Sequence, residues 1–302
     1  MSSKAPKNRR FTDLSDYARP LAVWIAGRLT DTRVRAPHVT LVFLAVGFVG
    51  AALYASGAAA AALVGTACLQ AKNILDAVDG SLARLQNRPS RIGRFLDSLC
   101  DAAVAVALYA ALGAVVASER AGLYAWTLAA AALVAGLVQS TVFNFYYVRY
   151  RRRHGGEATS QVHESFTDQD REAYGDQPWA RRTLGTLLFL YQVVYGWQDR
   201  IVAALDRWAV GPLVEFGRLQ EAAMLRDDRG FLTAVSALGP GVQILLLNVF
   251  TVVGFRVLVP ALEAYLWVIA VGGSLYALAL LGRVRSAAAT LALSLGPVRG
   301  RG

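Results

Sequence analysis

The sequence is poor in charged residues and in cysteine. Of its 302 residues, 17% are Asp, Glu, Lys or Arg, whereas 55% are hydrophobic and the mean hydropathy is +0.40. A soluble domain of this length carries more charge and shorter apolar runs. The two cysteines, Cys68 and Cys100, lie inside apolar runs and are too few for a disulfide framework or a zinc site. The composition therefore indicates a protein that resides in a membrane.

Apolar runs long enough to cross a bilayer recur along the chain. A hydrocarbon core of about 30 Å requires about 20 apolar residues in a helix. Six runs have this length, at approximately 38–57, 59–83, 94–117, 121–148, 238–257 and 259–282. We therefore expect an all-α integral membrane protein built as a bundle of six transmembrane helices. Because the polar N-terminal segment lacks the apolar core of a signal peptide, the first span is expected to act as the insertion signal.

Arginine and lysine are distributed unevenly between the two sides of this bundle. They are concentrated in the N-terminal segment, in the loops after spans two and four, and in the C-terminal tail, whereas the opposite loops carry only Arg120 and Arg256. Positive charge is retained on the cytoplasmic side, so both termini are predicted to be cytoplasmic, in a cytoplasmic (inner) membrane. Topology and contacts with anionic lipids account for the net charge of +10. No recognised motif adds a reason to invoke nucleic acid.

Four aspartates interrupt the apolar pattern between spans two and three. The stretch NILDAVDGSLARLQNRPSRIGRFLDSLCDAA, residues 73–103, contains Asp76, Asp79, Asp97 and Asp101. Each carboxylate inside a membrane costs at least about 2.5–3.5 kcal/mol, so a compensating partner is expected. The spacings of three and four residues place each pair on one helix face. The intervening QNRPS predicts a chain reversal, which brings the two faces together near the cytoplasmic boundary.

Two explanations of these carboxylates follow from the residues. One or two hard divalent cations with oxygen ligands would remove the mutual repulsion, and Mg²⁺ in particular combines a few carboxylates with substrate phosphates. Alternatively, single aspartates pair with nearby arginines, of which Arg84, Arg91 and Arg94 are available. The mutual orientation of all four favours a metal site.

The same segment resembles a known family. The pattern Asp76-x-x-Asp79-Gly80-x-x-Ala83-Arg84, followed after eight residues by Gly93-x-x-x-Asp97-x-x-x-Asp101, looks like the full signature of the CDP-alcohol phosphotransferase family. The resemblance implies a metal-dependent enzyme of phospholipid synthesis, active at the cytoplasmic face. Such an enzyme transfers a substituted phosphate from a CDP-linked donor to the hydroxyl of an acceptor alcohol and releases CMP. It also implies a homodimer.

The resemblance assigns roles to individual residues. Asp76, Asp79, Asp97 and Asp101 are expected to hold two Mg²⁺ or Mn²⁺ ions, and Asp101 is expected to be the base that takes the acceptor's proton. Residues that would bind the CDP-linked donor are Gly80, Ala83, Arg84, Ser90 and Gly93. The segment APHVT, residues 36–40, resembles a donor-side element in which relatives often have Thr-Pro-Asn-x-x-Thr, which adds Pro37 and Thr40. His38 replaces the Asn, and we expect it to be solvated rather than a ligand.

These features divide the chain into four regions. An amphipathic helix is predicted at 14–29, lying on the membrane interface, although a helix packed on the end of the bundle would show the same pattern. A polar loop with little fixed structure is predicted from residue 150, followed at 184–197 by an apolar run that suits an interfacial or re-entrant helix. The regions are 1–36 (cytoplasmic segment with the interfacial helix), 37–149 (catalytic core, spans one to four), 150–236 (cytoplasmic or interfacial insert) and 237–302 (spans five and six with a cytoplasmic tail).

The sequence does not identify the substrates, and two other functions are considered, a cation transporter and an inactive membrane scaffold. CDP-diacylglycerol with a polar acceptor is the favoured pair, and transfer from CDP-choline or CDP-ethanolamine to diacylglycerol is the alternative. In either case at least one substrate is a lipid. A cation transporter would place its acids near the midplane on broken helices, and an inactive membrane scaffold would be expected to have lost an aspartate. Neither pattern is found in the sequence.

Overall fold

The computed structural model describes residues 11–154, 165–174 and 177–296. Within these ranges the chain is helical, without β-strands. A 3₁₀ turn, Leu14–Asp16, precedes α1 and a π-helical segment, Val268–Gly273, joins the last two α-helices. The α-helices are α1 Arg19–Leu29, α2 Ala36–Ala55, α3 Ala59–Leu85, α4 Arg91–Ala117, α5 Gly122–Arg153, α6 Asp168–Tyr174, α7 Pro178–Glu215, α8 Leu219–Arg226, α9 Arg229–Ser236, α10 Pro240–Val253, α11 Leu258–Trp267 and α12 Ser274–Leu295.

The expected membrane character agrees with the helix lengths and composition. Four helical stretches are long and apolar enough to cross a bilayer, namely α2, α4, α5 and the continuous stretch Leu258–Leu295. Helices α9 and α10, which bend by 46° relative to each other, can form a fifth. Helix α3 has the length of a span, but Lys72, Asp76, Asp79 and Arg84 make it more polar. The described residues thus contain four or five apolar candidate spans, fewer than the six expected.

Helix α2 packs against both α3 and α4 through small residues. A Cβ at Gly50 would lie 3.2 Å from the side chain of Leu69 on α3. On the neighbouring face, a Cβ at Gly47 would lie 2.7 Å from Val104 on α4. Glycine allows helix backbones to approach closely in membrane proteins. Helix α2 thus packs against α3 and against α4, and a cavity remains between α3 and α4.

The predicted insert contains a longer helix than the sequence indicated. The apolar run at 184–197 belongs to α7, which continues through Pro212 to Glu215 and packs against α4, α5 and α12. Leu184, Leu188 and Tyr191 bury their side chains around Phe95 of α4. Of the polar segment predicted from residue 150, residues 155–164 and 175–176 lie outside the described residues, whereas 168–174 form α6. Helix α7 is therefore part of the bundle and not a separate short element.

The segment predicted to be an interfacial helix consists of the 3₁₀ turn Leu14–Asp16 followed by α1, Arg19–Leu29. Helix α1 buries Ala22 and Ala26 against Val78 and Leu82 of α3. On its outer face Trp24 is 58% exposed. Before α1, Ser15 Oγ accepts a hydrogen bond of 2.9 Å from the backbone amide of Gly241 at the start of α10. Ser15 and helix α1 are thus held against α10 and α3.

Candidate active site

The turn between α3 and α4 places the two aspartate pairs opposite each other. The chain reverses at Asn87, which has a left-handed φ of 52°, a conformation that Asn tolerates better than most residues. Ser90 then caps α4, because its Oγ accepts a hydrogen bond of 3.0 Å from the amide of Gly93. The predicted reversal is confirmed, because Lys72 and Asp76 of α3 lie beside Asp101 and Asp97 of α4.

Three of the four aspartates converge on one point. Asp76, Asp97 and Asp101 each offer a carboxylate oxygen, and these oxygens lie within 4.8 Å of one another. All three residues are half-buried. Asp97 Oδ1 is buried and has no hydrogen-bond partner among the described residues. Carboxylate oxygens crowded in this way, one of them without a donor, fit a hard divalent cation.

Asp79 has a different environment. It is 4% exposed, and its Oδ2 lies 2.7 Å from Thr40 Oγ1 on α2. The neighbouring His38 is exposed, and its Nδ1 accepts a hydrogen bond of 3.1 Å from the amide of Arg35, which caps α2. The segment 36–40 therefore contacts the carboxylate site through Thr40, while His38 stabilises a helix end.

A cavity of about 480 Å³ contains the carboxylates and continues into the bundle. At the end next to the turn between α3 and α4 it is lined by every residue that the sequence suggested for donor binding: Pro37, Thr40, Gly80, Ala83, Arg84, Ser90 and Gly93. Beyond Asp101 the lining becomes largely apolar, with Val104, Leu108, Leu133, Leu137 and Ile244. The cavity thus joins a charged mouth to an apolar interior.

Comparison with known proteins decides the family. The profile of the CDP-alcohol phosphatidyltransferase family matches residues 33–203, more than half of the chain. The chain belongs to this family. It is also similar to archaetidylinositol phosphate synthase of Methanothermobacter thermautotrophicus, with 36% identity over 96 residues, which is 32% of this chain and 41% of that relative. The similarity therefore spans less than half of the relative's length.

The candidate site of this CDP-alcohol phosphatidyltransferase family member also contains a lysine that the sequence analysis did not identify. Lys72, on α3, is 6% exposed, and its Nζ forms an ion pair with Asp101 Oδ1. The arginines suggested as partners are arranged differently. Arg84 donates to Ser81 Oγ at 3.3 Å, and Arg91 pairs with Asp170 outside the cavity. The spacing of four residues between Lys72 and Asp76 could have revealed that they share a helix face.

The basic residues around the site do not all reach it. Arg94 lines the cavity, with its guanidinium 4.5 Å from the ring centroid of Phe95. Within the run RYRRRH, Arg151 lines the cavity, whereas Arg153 lies 3.3 Å from Asp227. Arg149 is 4.0 Å from Asp206. Arginines are therefore concentrated near this end of the bundle, and the packing of the helices decides which of them line the cavity.

Helix α7 forms a wall of the cavity that sequence reasoning did not anticipate. Tyr191, Tyr195 and Asp199 line it. The hydroxyl of Tyr195 donates a hydrogen bond of 2.9 Å to the carbonyl oxygen of Ser98 on α4. Burial raises the pKa of the Tyr195 phenol well above its ordinary value, so this donor remains protonated. Helix α7 is thereby held beside the helix that carries Asp97 and Asp101.

Proposed function

We propose that the protein transfers a substituted phosphate from a CDP-linked donor to the hydroxyl of an acceptor alcohol in phospholipid synthesis. The observation that carries this proposal is the convergence of the family's motif residues on one cavity, around Asp76, Asp97 and Asp101. The acceptor oxygen forms a bond to the donor's second phosphorus. The anhydride bond between that phosphorus and CMP breaks, and CMP leaves with the electron pair.

The carboxylates are proposed to hold Mg²⁺ or Mn²⁺, with two ions per site. Asp76, Asp79, Asp97 and Asp101 would be the ligands, with Thr40 orienting Asp79 through their 2.7 Å contact. When bound, the metal screens the pyrophosphate charge and stabilises the attacking and leaving oxygens. The buried Asp97 Oδ1, which has no donor among the described residues, supports this assignment.

Asp101 is proposed to be the base. It lies one turn deeper in the bundle than Asp97 on the same helix, where the charged mouth of the cavity meets its apolar interior. Lys72 engages Oδ1, and Oδ2 would take the acceptor's proton. A general base must approach the hydroxyl to about 2.6–3.2 Å. The position of Asp101 on the cavity wall is suited to such an approach.

The donor is proposed to bind at the cytoplasmic end of the cavity. Gly80 and Ala83 present small side chains on the face of α3 that lines it, which leaves room for the nucleotide. Arg84 and Ser90 would contact the phosphates, because the guanidinium group provides a planar set of donors matched to phosphate oxygens. Gly93, Pro37 and Thr40 complete this end.

The favoured donor is CDP-diacylglycerol, with a polar acceptor alcohol. The apolar interior of the cavity, at Leu108, Leu133 and Ile244, suits a lipid chain attached to one of the substrates. The name of the similar archaeal protein describes the synthesis of a lipid with a phosphorylated inositol head group, which favours a lipid donor. Transfer from CDP-choline or CDP-ethanolamine to diacylglycerol is the alternative.

The membrane arrangement is proposed from the charges and the helices together. Helix α3, whose polar residues face the cavity, would be the sixth span beside the five apolar candidates, with both termini cytoplasmic and the site at the cytoplasmic face of the inner membrane. Helix α1 would lie on the interface, because Leu21 and Trp24 are exposed on its outer face. We propose a homodimer, as the family resemblance implies.

A substrate panel tests the proposed reaction. The purified protein is reconstituted in lipid with Mg²⁺, and CMP release is measured with CDP-diacylglycerol, CDP-choline and CDP-ethanolamine against polar alcohols, phosphorylated polyols and diacylglycerol. We expect CMP release from CDP-diacylglycerol that depends on a polar acceptor. If no pair releases CMP above the rate of an Asp97→Asn control, the proposed activity is wrong.

A further inference from the structure

Lys72 is a buried cation at the inner boundary of the carboxylate site. Its side chain is 7% exposed and pairs with Asp101. Its Nζ also lies 4.9 Å from the ring centroid of Phe43 on α2. Asp76 follows one turn later on the same helix face. The ammonium group therefore contacts a carboxylate of the site and also lies near an aromatic ring.

The position of Lys72 differs from that of the other cations that line the cavity. Arg84, Arg88 and Arg94 belong to the adjoining ends of α3 and α4 and to the turn between them, and Arg151 belongs to the last turn of α5. Lys72 is three turns further from that end of α3 than Arg84. A charge at this depth is costly unless an opposite charge compensates it. The positive charge of Lys72 and the negative charge of the carboxylates therefore stabilise each other without any bound ion.

We propose that Lys72 is a built-in counter-ion that competes with the metal for the carboxylate site. In the protein without metal, Lys72 neutralises part of the carboxylate charge and holds Asp101 Oδ1. A divalent cation bound to Asp76, Asp97 and Asp101 must tolerate the nearby ammonium charge or displace it from Oδ1. Lys72 thus weakens metal binding and keeps the empty site stable, which makes it a positioning residue for Asp101.

This inference rests on the proposed metal site. It predicts that removal of Lys72 increases the affinity of the site for a divalent cation. Removal of a residue with a purely structural role leaves metal affinity unchanged or weakens it. Removal of a competing cation strengthens it, because a positive charge within a few ångströms opposes the binding of a divalent ion. Stability should change in the opposite direction, since the empty site loses its compensating charge.

The test measures Mn²⁺ binding by isothermal titration to the purified full chain in detergent, without substrate. For Lys72→Met, which preserves the length of the side chain, we expect binding at least about tenfold tighter than in the wild type. Lys72→Arg retains the charge and is expected to stay within about threefold of the wild type. Arg88→Met removes a charge from the exposed mouth of the same cavity, where solvent screens it, and is also expected to change affinity less than about threefold.

Melting temperature provides a second measurement on the same proteins. We expect Lys72→Met to melt below the wild type without metal and to gain more from saturating Mn²⁺ than the wild type gains. Should Lys72→Met prove unfolded without metal, Lys72→Gln replaces it in both measurements. Unchanged or weaker Mn²⁺ binding in the folded neutral variant would overturn the role of Lys72 while leaving the metal site intact. Absence of Mn²⁺ binding in wild type and variants alike would overturn the metal site and this inference together.

Discussion

Asp101→Asn is the substitution that tests the proposed base most directly. Asparagine preserves the size of the side chain and a carbonyl oxygen, but it cannot take a proton from the acceptor alcohol. A positioned general base contributes about 10²–10⁴ in rate. We therefore expect CMP release to fall by a factor in this range, while the CDP-linked donor still binds because Asp76, Asp79 and Asp97 remain.

The ion pair with Lys72 adds an effect on stability. Asp101→Asn leaves the ammonium group of Lys72, a residue that is 6% exposed, without its paired carboxylate. Breaking a buried ion pair from one side typically costs about 3–5 kcal/mol. Because Asp76 and Asp97 are near and Asp101 is partly exposed, we expect the lower end of that range, about 3 kcal/mol.

The double variant Lys72→Met/Asp101→Asn distinguishes the two effects. It replaces a charged pair by two neutral side chains, so it is expected to melt closer to the wild type than Asp101→Asn does. It should nevertheless remain as inactive as Asp101→Asn, because the proposed base is still missing. Melting curves and CMP release are measured on the same preparations. If folded Asp101→Asn released CMP within about threefold of the wild-type rate, the assignment of Asp101 as base would be wrong.

Four further predictions concern the metal, its surroundings and the topology. Chelation should abolish CMP release and Mg²⁺ or Mn²⁺ should restore it; full activity in excess EDTA would contradict the metal site. Thr40→Val removes the 2.7 Å contact with Asp79 and should weaken Mn²⁺ binding about tenfold, whereas Thr40→Ser should retain it. Arg94→Gln should raise KM for a substrate, whereas Arg91→Gln, which breaks the pair with Asp170, should lower only the melting temperature. A cysteine at Asn87 should react with an impermeant reagent only from the cytoplasmic side, and external labelling would reverse the proposed topology.

The aspartate arrangement illustrates what helical periodicity can predict. Asp76 and Asp79 were expected on one face of a helix, Asp97 and Asp101 on the facing helix, with a reversal between them. The structure has this hairpin, with a left-handed Asn87 and a Ser90 cap. These features depend on residues within a few positions of one another, so local sequence is sufficient to define them.

Helix α7 is an element whose length could not be predicted from the local sequence. The apolar run at 184–197 is short for a span and was expected to form an interfacial or re-entrant helix. The structure has one helix, Pro178–Glu215, because distant helices α4, α5 and α12 provide the surfaces against which it is buried. Long-range packing of this kind overrides local pattern, and it also adds Tyr195 to the cavity wall.

The sequence by itself determined the membrane character, the helical hairpin and the motif that identifies the family. These follow from composition, from spacing of three or four residues, and from turn-forming residues between two helices. Only the tertiary structure decided that Lys72 pairs with Asp101, that Thr40 contacts Asp79, and that Arg94 lines the cavity while Arg91 is turned to Asp170. The physical reason is that a buried charge takes its partner from whichever helix packs against it, and that choice depends on segments distant in the chain.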